Sequence, residues 1–477
     1  MNRPFSFNET FMNVNTPFEK IGTEDLHIQV SKMAEVFREF DIKRLAFISS
    51  NSPGSIIVEM AAFEAEIILI PIPTFFTEEQ VISSLHKCEA DYILADRDKS
   101  SFGEIYRLIN TAHFNYGLFK TKYNPDHLPG VSRITFTSGT TASPKGVLLS
   151  RETLESRAFD LNKRINGSSK DTFLSFMPYS ILLETMTGIY LPMINNADAY
   201  IINGIEAPLS EPQKAYHYLS ESGASVTVMM PHMVQALANF ILKNELPVPE
   251  KLRFIGAGGA KMSRELLLLA EEACLPVYQG YGLSEAGSVI TLNNSIYNRR
   301  GSVGRVLDSL KVRISDGEIE VKGMLSTGYS DSSCNFTRDG WLKTGDLGRL
   351  DEDGFLYVDG RKSNVIITSN GRNISPEWIE SELNSFRGIS ASFVIGEGRL
   401  TPLAFCSFCY TPEPESVLRE VNKRLPGYAQ LSTIIPVEHN ELTKGEGVSP
   451  NGRIKREVLE KILTDKFNIG QLNHEWV

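Results

Sequence analysis

Apolar residues in the first three hundred positions recur with two alternating spacings. Residues 26–40 (LHIQVSKMAEVFREF) carry them at helical spacing, and RLAFISS at 44–50 follows as a short apolar strand. A second pair, SPGSIIVEMAAFEAE and IILIPIP, covers residues 52–73 and opens with the Ser-Pro start of a capped helix. Further apolar runs are separated by helical segments: DYILAD, RITFTS, DAYIIN, SVTVMM and LRFIGAG. This alternation predicts an α/β fold, in which helices cover parallel or mixed sheets.

The pattern changes after about residue 300. Residues 311–323 (KVRISDGEIEVKG) and 348–362 (GRLDEDGFLYVDGRK) each contain a D-G turn between alternating strands, which predicts two hairpins. Beyond Lys362 the strand and helix signals are those of a compact α+β unit. We therefore predict a large N-terminal domain at residues 1–361 and a small C-terminal domain at residues 362–477.

Composition narrows the class of protein. Of 477 residues, 42% are hydrophobic and 22% charged, which is typical of a globular chain with a packed interior. The net charge of −10 argues against non-specific binding of nucleic acid. The start of the sequence lacks a signal-peptide pattern, and no apolar run reaches the roughly 18 residues that cross a bilayer. The five cysteines are scattered, so we expect a cytoplasmic protein without an integral membrane segment.

Cys406 and Cys409 spell C-S-F-C within the strand-like run LAFCSFCY. Because side chains of a strand alternate between its faces, the two thiols are expected on opposite faces. A structural reading of this pair is therefore favoured over a metal or redox site.

Residues 134–146 (ITFTSGTTASPKG) combine a β-branched strand with a loop of Ser, Thr and Gly. Successive backbone N–H groups in such a loop form an anion-binding concavity, hydroxyls add donors, and Lys145 supplies a cation. The segment is not a Walker A loop, because Pro144 precedes the lysine and Gly146 follows it. The sequence predicts a phosphate-binding loop.

The stretch TSGTTASPKG (137–146) resembles the phosphate loop of the adenylate-forming superfamily, which includes acyl-CoA synthetases, firefly luciferase and peptide-synthetase adenylation domains. Further segments resemble those of the family, in the family's order: GAGGA (256–260), YQGYGLSEAG (278–287), WLKTGDLGRL (341–350), DGRKSNVIITSNGRNISPEWIE (359–380) and NGRIKR (451–456). Ala142 departs from the glycine usual in the phosphate loop. The resemblance implies that a carboxylic acid reacts with ATP to form acyl-AMP and pyrophosphate, and that the acyl group then passes to a thiol or amine.

The resemblance also implies roles for individual residues. The lysine of the phosphate loop, Lys145, and the acidic residue Glu285, as the Mg²⁺ ligand, are expected in catalysis. Ser284 is expected at the α-phosphate, Tyr281 at the adenine and Asp346 at the ribose. The full set implied for ATP or AMP is Thr137, Ser138, Gly139, Thr140, Thr141, Gly258, Gly259, Ala260, Tyr281, Gly282, Ser284, Asp346 and Arg361.

Family members rotate a mobile small domain between adenylation and acyl transfer. The hinge implied here is Ser363, where the family commonly has Asp or Lys. Gly371 and Arg372 resemble the loop that lines the tunnel for the acceptor thiol. A plain strand–turn–helix remains the alternative for this segment.

The acyl pocket is expected around residues 176–193 (FMPYSILLETMTGIYLPM), with Tyr179, Ile181 and Glu184 as its candidate residues. This run is most like the long-chain acyl-CoA synthetases, although those commonly carry His where this chain has Ile181. Peptide-synthetase adenylation domains use an Asp to bind the substrate amino group, and no Asp stands there in this chain. These features favour a fatty or aryl acid over an amino acid.

The C-terminal motif departs from the family at its catalytic lysine, where this chain has Arg453. Arginine keeps the charge but spreads it over a planar fork, so the exchange is not conservative. Arg453 performs the role with altered geometry, or Lys455 or Lys444 replaces it, or adenylation is weak.

The function expected from the sequence is an ATP- and Mg²⁺-dependent ligase that joins a fatty or other apolar acid to coenzyme A. Two alternatives stay open at this point. The acceptor is a carrier protein acting in trans or an amine, or the chain is a nucleotide-binding protein with weak or lost adenylation.

Overall fold

We describe a computed structural model of the chain. It describes residues 11–96, 101–102, 104–111, 113–137, 144–202, 211–259, 262–331, 335–386, 388–409, 413–448 and 454–469. Among these residues, no helix is long and apolar enough to cross a membrane.

The α-helices are α1 (Thr23–Glu39), α2 (Pro53–Glu64), α3 (Glu78–Cys88), α4 (Arg151–Ile165), α5 (Leu182–Thr185), α6 (Leu191–Asn195), α7 (Pro212–Glu221), α8 (Pro231–Lys243), α9 (Arg264–Glu272), α10 (Pro376–Leu383), α11 (Pro414–Arg424), α12 (His439–Thr443) and α13 (Arg456–Lys466). A π-helical turn, Met186–Tyr190, joins α5 to α6.

The strands of the first half are β1 (Val14–Asn15), β2 (Lys20–Ile21), β3 (Arg44–Ile48), β4 (Ile68–Pro71), β5 (Tyr92–Ala95), β6 (Glu104–Asn110), β7 (Asn115–Lys120), β8 (Arg133–Thr137), β9 (Lys145–Leu149), β10 (Thr172–Ser175), β11 (Asp198–Ile201), β12 (Val226–Met229) and β13 (Phe254–Ala257). Those of the second half are β14 (Val277–Tyr281), β15 (Thr291–Leu292), β16 (Arg305–Val306), β17 (Leu310–Ser315), β18 (Glu318–Gly323), β19 (Gly328–Tyr329), β20 (Leu342–Leu350), β21 (Leu356–Arg361), β22 (Ile366–Ile367), β23 (Asn373–Ile374), β24 (Ile389–Ile395), β25 (Leu403–Phe408) and β26 (Ile434–Pro436).

Two large sheets have parallel centres and antiparallel margins. The nine-stranded sheet has the order β16-β15-β14-β13-β12-β10-β11-β1-β2, and the eight-stranded sheet the order β19-β9-β8-β4-β3-β5-β7-β6. Strands β10 to β14 pair in parallel, as do β3, β4, β5 and β8. The central strands are buried along nearly their whole length, which explains why they are apolar at successive positions. The predicted α/β fold with parallel and mixed sheets is confirmed.

The largest hydrophobic cluster includes residues of both large sheets, together with residues of α1, α2, α4 and the 182–193 segment. Strands of the two sheets therefore contribute to one continuous interior. The amphipathic spacing of α1 places Leu26, Val30, Met33, Ala34 and Phe37 in this core.

A four-stranded antiparallel sheet, β17-β18-β20-β21, contains both predicted hairpins. The first turns at Asp316 and Gly317, which both have positive φ, as the two central residues of a type I′ turn require. The second turns through Gly354, with φ of 78°. Asp346 of strand β20 accepts a hydrogen bond from Tyr281, which ends β14, so this sheet contacts the nine-stranded sheet.

The described residues beyond Lys362 form the three-stranded sheet β24-β25-β26, the pair β22-β23 and the α-helices α10 to α13. They have two hydrophobic clusters of their own, one under α10 and α11 and one under α13. Cys406 is buried in β25, whereas Cys409 is exposed just beyond its end. The division into domains at residues 361 and 362 stays a prediction.

Candidate active site

The two strands that flank the phosphate loop are paired directly. Strands β8 and β9 are antiparallel, and the backbone of Thr137 pairs with that of Lys145. The ammonium of Lys87, in the last turn of α3, donates to the carbonyl of Pro144 at 2.7 Å. These contacts hold both ends of the loop together. The predicted loop residues Ser138, Gly139, Thr140 and Thr141 lie outside the described residues. The side chain of Thr137 also lies outside them.

Lys145 and Glu285 meet around a third residue, Tyr329. Strand β19 pairs with β9, which places Tyr329 opposite Val147. The Tyr329 hydroxyl donates to Glu285 Oε1 at 2.7 Å, and Lys145 Nζ lies 5.6 Å from the centre of its ring. Burial, followed by the neighbouring Glu285 carboxylate, raises the pKa of Tyr329. Two predicted residues from distant segments are thus brought together by one that sequence reasoning missed.

A second contact joins Tyr281, Asp346 and Arg361. The Tyr281 hydroxyl donates to Asp346 Oδ2 at 2.6 Å, and Arg361 Nε lies 2.9 Å from Asp346 Oδ1. Asp346 and Arg361 are also register partners in β20 and β21. Burial raises the pKa of Asp346, while the guanidinium and the hydroxyl act in the opposite direction. Burial and the adjacent carboxylate raise the pKa of Tyr281.

Glycines keep the backbone close together between these contacts. A Cβ added at Gly282 would lie 1.7 Å from the carbonyl oxygen of Ser288, so no larger residue fits there. A Cβ at Gly258 would lie 3.3 Å from the carbonyl oxygen of Gly280. Gly259 has a φ of 81° and is exposed, and Ala260 lies outside the described residues. Ser284 and Glu285 open a 3₁₀ turn immediately after this segment.

Gln279 is a second residue that sequence reasoning missed. It is buried, and its Oε1 has no hydrogen-bond partner within the described part of the chain. Because Gln279 precedes Tyr281 by two positions in β14, both side chains lie on the same face of the strand. An unsatisfied buried acceptor is costly and requires an explanation such as a ligand donor. In the sequence, Gln279 lies in YQGYG, where the two glycines are more conspicuous than the glutamine.

The three acyl-pocket candidates differ in burial. Glu184 is fully buried, and burial raises its pKa to about 8 despite the Ser175 hydroxyl and the backbone of Met177 and Phe176 nearby. The Tyr179 hydroxyl donates to Ser175 Oγ at 2.9 Å. Ser175 therefore has Tyr179 as its hydrogen-bond partner, whereas neither carboxyl oxygen of Glu184 has a hydrogen-bond partner among the described residues. Ile181, which precedes α5, is partly exposed.

A buried polar network connects the predicted acyl-pocket segment to β8, the strand that precedes the phosphate loop. Arg133 of β8 donates to Glu59 Oε1 at 2.6 Å and to Thr185 Oγ1 at 3.0 Å. Glu59 also accepts a short hydrogen bond from Tyr190 in the π-helical turn. Because Arg133 and Glu59 are both more than nine-tenths buried, each charge depends on the other for compensation.

The predicted hinge and tunnel residues lie on the surface of the C-terminal part. Ser363 is exposed in the 3₁₀ turn Lys362–Asn364, and Gly371 is exposed with φ of 73°. Arg372 is exposed as well, and its backbone N–H donates to Thr368 Oγ1 at 3.1 Å. The role of Gly371 and Arg372 in an acceptor tunnel stays a prediction.

The candidates for the catalytic cation are only partly described. Arg453 lies outside the described residues. Lys455 precedes α13 and is half-buried, and its backbone N–H donates to the Gly447 carbonyl at 2.8 Å. The following residue, Arg456, binds both oxygens of Glu380, at 3.1 and 2.7 Å. Lys444 is exposed.

Comparison with protein families identifies the class of protein. The AMP-binding enzyme family model matches residues 10–325, and the chain belongs to that family. The predicted superfamily and the prediction of an enzyme are thereby confirmed.

Individual proteins with similar sequences or similar folds can be named. The chain is 28% identical over 447 residues to 2-succinylbenzoate--CoA ligase of Bacillus mycoides (strain KBAB4), covering 86% of this chain and 88% of the relative. Its fold is similar to that of o-succinylbenzoate CoA synthetase from Bacillus subtilis in complex with the acyl-adenylate intermediate, with a TM-score of 0.79, 21% identity and coverage of 96% and 98%. The same Bacillus subtilis enzyme in complex with ATP and magnesium ion has a TM-score of 0.78, 21% identity and coverage of 96% and 99%. The names of these proteins include coenzyme A, ATP and magnesium ion, which are the cofactors predicted from the sequence.

Proposed function

We propose that the protein is an ATP- and Mg²⁺-dependent ligase that joins an aryl carboxylic acid to coenzyme A. In the first step an oxygen of the acid attacks the α-phosphorus of ATP, and pyrophosphate leaves. In the second step the thiol of coenzyme A, as its thiolate, attacks the acyl carbonyl, and AMP leaves. The acyl-AMP formed in the first step is consumed in the second, so the products are AMP, pyrophosphate and the thioester.

One observation supports this proposal most strongly. The five-residue segment from Tyr281 to Glu285 is held by a hydrogen bond at each end, to Asp346 at 2.6 Å and from Tyr329 at 2.7 Å. Between those ends lie Gly282 and Ser284, a close-approach glycine and a hydroxyl. A nucleotide along this segment meets a buried carboxylate at one end and Lys145 with Glu285 at the other. That order suits a ribose followed by phosphates.

Each polar group has a chemistry that suits a part of ATP. Asp346 offers acceptor oxygens for ribose hydroxyls, and Gln279 Oε1 is an unpartnered acceptor on the strand face of Tyr281, suited to the amine of adenine. Lys145 offers a cation at the end of the phosphate loop. Because the negative charge on phosphate oxygens is redistributed in the transition state, a positioned cation stabilises it without forming a covalent intermediate.

Glu285 suits Mg²⁺ by the chemistry of its donor atoms, since hard oxygen ligands are those that Mg²⁺ prefers. Tyr329 binds Oε1 of that carboxylate, and the second oxygen, which has no partner among the described residues, would bind the metal or metal-bound water. Bound Mg²⁺ would supply charge neutralisation at the phosphate oxygens. The residues of the chain orient the nucleotide around it.

An aryl acid is proposed because the relatives that align with most of this chain are named for 2-succinylbenzoate, which contains a benzoate ring. That supports an aryl substrate over the fatty acid expected from residues 176–193. Ile181 is the predicted pocket residue with exposed surface, and an aliphatic side chain packs well against an aromatic ring. Coenzyme A is proposed as the acceptor of the acyl group because the same relatives are named CoA ligases.

Release of AMP and pyrophosphate tests this function. Purified protein is incubated with ATP, Mg²⁺ and a panel of aryl, fatty and amino acids, with and without coenzyme A, and acyl-AMP and thioester are measured by mass spectrometry. We expect an aryl acid to yield AMP and a thioester that depends on coenzyme A. Acyl-AMP that accumulates regardless of coenzyme A would favour a carrier protein or an amine as acceptor. ATP binding without AMP from any acid would contradict the ligase.

The same assay identifies the cation that serves adenylation. We propose Arg453, and we expect Arg453→Ala to abolish most pyrophosphate release while Lys455→Ala and Lys444→Ala retain it. Loss in either lysine variant with an active Arg453→Ala would assign the role to that lysine.

A further inference from the structure

The hydroxyl of Tyr329 has a defined direction. Asn335 Nδ2 donates to the Tyr329 oxygen at 3.4 Å, and the hydroxyl donates in turn to Glu285 Oε1 at 2.7 Å. One oxygen of the Glu285 carboxylate is therefore occupied, and its side chain is confined to one orientation. Hydrogen-bond partners of this kind fix metal-binding carboxylates and tune their affinity.

The ring of Tyr329 has a second neighbour. Lys145 Nζ lies over its face, 5.6 Å from the ring centre. A lysine side chain is long and flexible, and Lys145 is exposed, so a cation–π contact restricts the volume that the ammonium explores. Lys145 and Glu285, both within the described part of the chain, form no salt bridge with each other. Tyr329 contacts both groups, and neither charge has an ion-pair partner in the part of the chain that the structure describes.

The position of Tyr329 is itself rigid. It is only 6% exposed, and β19 pairs with β9, the strand that begins with Lys145. The backbone N–H of Ser330 donates to the Gly146 carbonyl at 2.8 Å, and that of Ser326 to the Glu285 carbonyl at 2.7 Å. The segment from Ser326 to Ser330, which contains β19, is therefore bonded both to the phosphate-loop strand and to the turn that carries Glu285.

We infer that Tyr329 is a positioning residue that orients Glu285 toward the metal of Mg²⁺–ATP through its hydroxyl and Lys145 toward the phosphates through its ring. This inference rests on the proposed function, because it assumes that Glu285 and Lys145 face Mg²⁺–ATP. Substitution separates the effect of the Tyr329 hydroxyl from that of its ring. Phenylalanine removes the hydroxyl alone, and leucine removes the hydroxyl and the aromatic face.

Binding of ATP, measured by calorimetry without any acid and therefore without turnover, is the test. Wild type, Tyr329→Phe and Tyr329→Leu are titrated with ATP in EDTA and again at increasing Mg²⁺. We expect Tyr329→Phe to bind ATP normally in EDTA and to require roughly 10- to 100-fold more Mg²⁺ for half of the full metal-dependent gain in affinity. Tyr329→Leu adds a loss of affinity in EDTA, because the ammonium of Lys145 is no longer restrained.

Tyr216→Phe is the matched control. Tyr216 lies in α7, and its hydroxyl donates a single hydrogen bond, to the Pro247 carbonyl at 2.9 Å. We expect this variant to retain the wild-type response to Mg²⁺. Thermal unfolding without ligand verifies that all variants are folded.

The outcomes are distinguishable. A Mg²⁺ response in Tyr329→Phe equal to that of wild type overturns the inference, as does an equal loss of affinity with and without the metal, which indicates a merely structural role. A wild-type protein whose ATP binding ignores Mg²⁺ overturns the proposed function as well, and the wild-type titration alone reveals it.

Discussion

The hydroxyl of Tyr281 donates a 2.6 Å hydrogen bond to Oδ2 of Asp346, and this contact joins the nine-stranded sheet to the four-stranded antiparallel sheet. The two residues are 65 positions apart in the sequence. Asp346 is buried, and its other oxygen binds Arg361 at 2.9 Å. A carboxylate so oriented is prepared to accept hydrogen bonds from a ligand without reorganising.

Asp346→Asn tests the role proposed for this carboxylate. An amide oxygen is a weaker acceptor, and the charge that pairs with Arg361 is lost. Because a hydrogen bond to a charged group contributes about 1.5–3 kcal/mol, we expect the KM for ATP to rise by roughly 10- to 100-fold. Asp359→Asn is the control, since Asp359 pairs with Arg349 at the surface. An ATP dependence unchanged in Asp346→Asn would contradict a ribose contact.

Lys145→Met tests the cation of the phosphate loop. The substitution keeps a flexible apolar stem and removes the charge, so we expect kcat for acid-dependent pyrophosphate exchange to fall by about 100-fold or more. Folding should be unaffected, because the Lys145 side chain is exposed. Lys163→Met serves as control, since Lys163 is an exposed lysine of α4 paired with Asp308. Equal rates in both variants would argue against a catalytic cation at Lys145.

The ion pair between Arg133 and Glu59 is expected to be essential for stability. Side chains of both residues are nearly inaccessible, and removal of one charge leaves the other buried without compensation. We expect Glu59→Ala to lower the free energy of unfolding by about 3–5 kcal/mol in urea denaturation. Asp308→Ala, which breaks the exposed pair with Lys163, should cost far less, because solvent screens an exposed ion pair. A small loss in Glu59→Ala would indicate that Arg133 finds other partners.

Glu184 predicts a pH dependence of stability. Its pKa is raised from 4.5 to about 8 in the folded protein, so between those values the folded state keeps a proton that the unfolded state has released. Its contribution to stability is therefore fully present below pH 4.5 and is lost as pH rises toward 8. The slope is at most about 1.4 kcal/mol per pH unit.

The comparison of Glu184→Gln with wild type isolates this contribution. We expect the variant to lose less stability than wild type between pH 5 and pH 8 in urea denaturation, because glutamine does not titrate. Glu272→Gln, a substitution on the exposed face of α9, should follow wild type. Parallel pH profiles for wild type and Glu184→Gln would show that the folded state does not hold this proton.

The local patterns of the sequence determined much of this protein. The apolar runs became the central parallel strands because a strand covered on both faces must be apolar at successive positions. The D-G turns became hairpins because glycine accepts the positive φ that such turns need. The segments that resembled the adenylate-forming superfamily pointed to Lys145, Tyr281, Glu285 and Asp346, since glycines and charged residues at fixed spacing are visible without a structure.

Only the tertiary structure decided which partners these residues have. Tyr329 lies in a short strand with no distinctive spacing, and Gln279 stands among more conspicuous glycines, so neither had a local signal. The network of Glu59, Arg133 and Tyr190 joins three separate segments. Such contacts depend on the register of β9 with β19 and on the meeting of separate sheets, which follow from packing of the whole core. A hydrogen bond needs its atoms within about 3 Å, and spacing along the chain does not specify that distance.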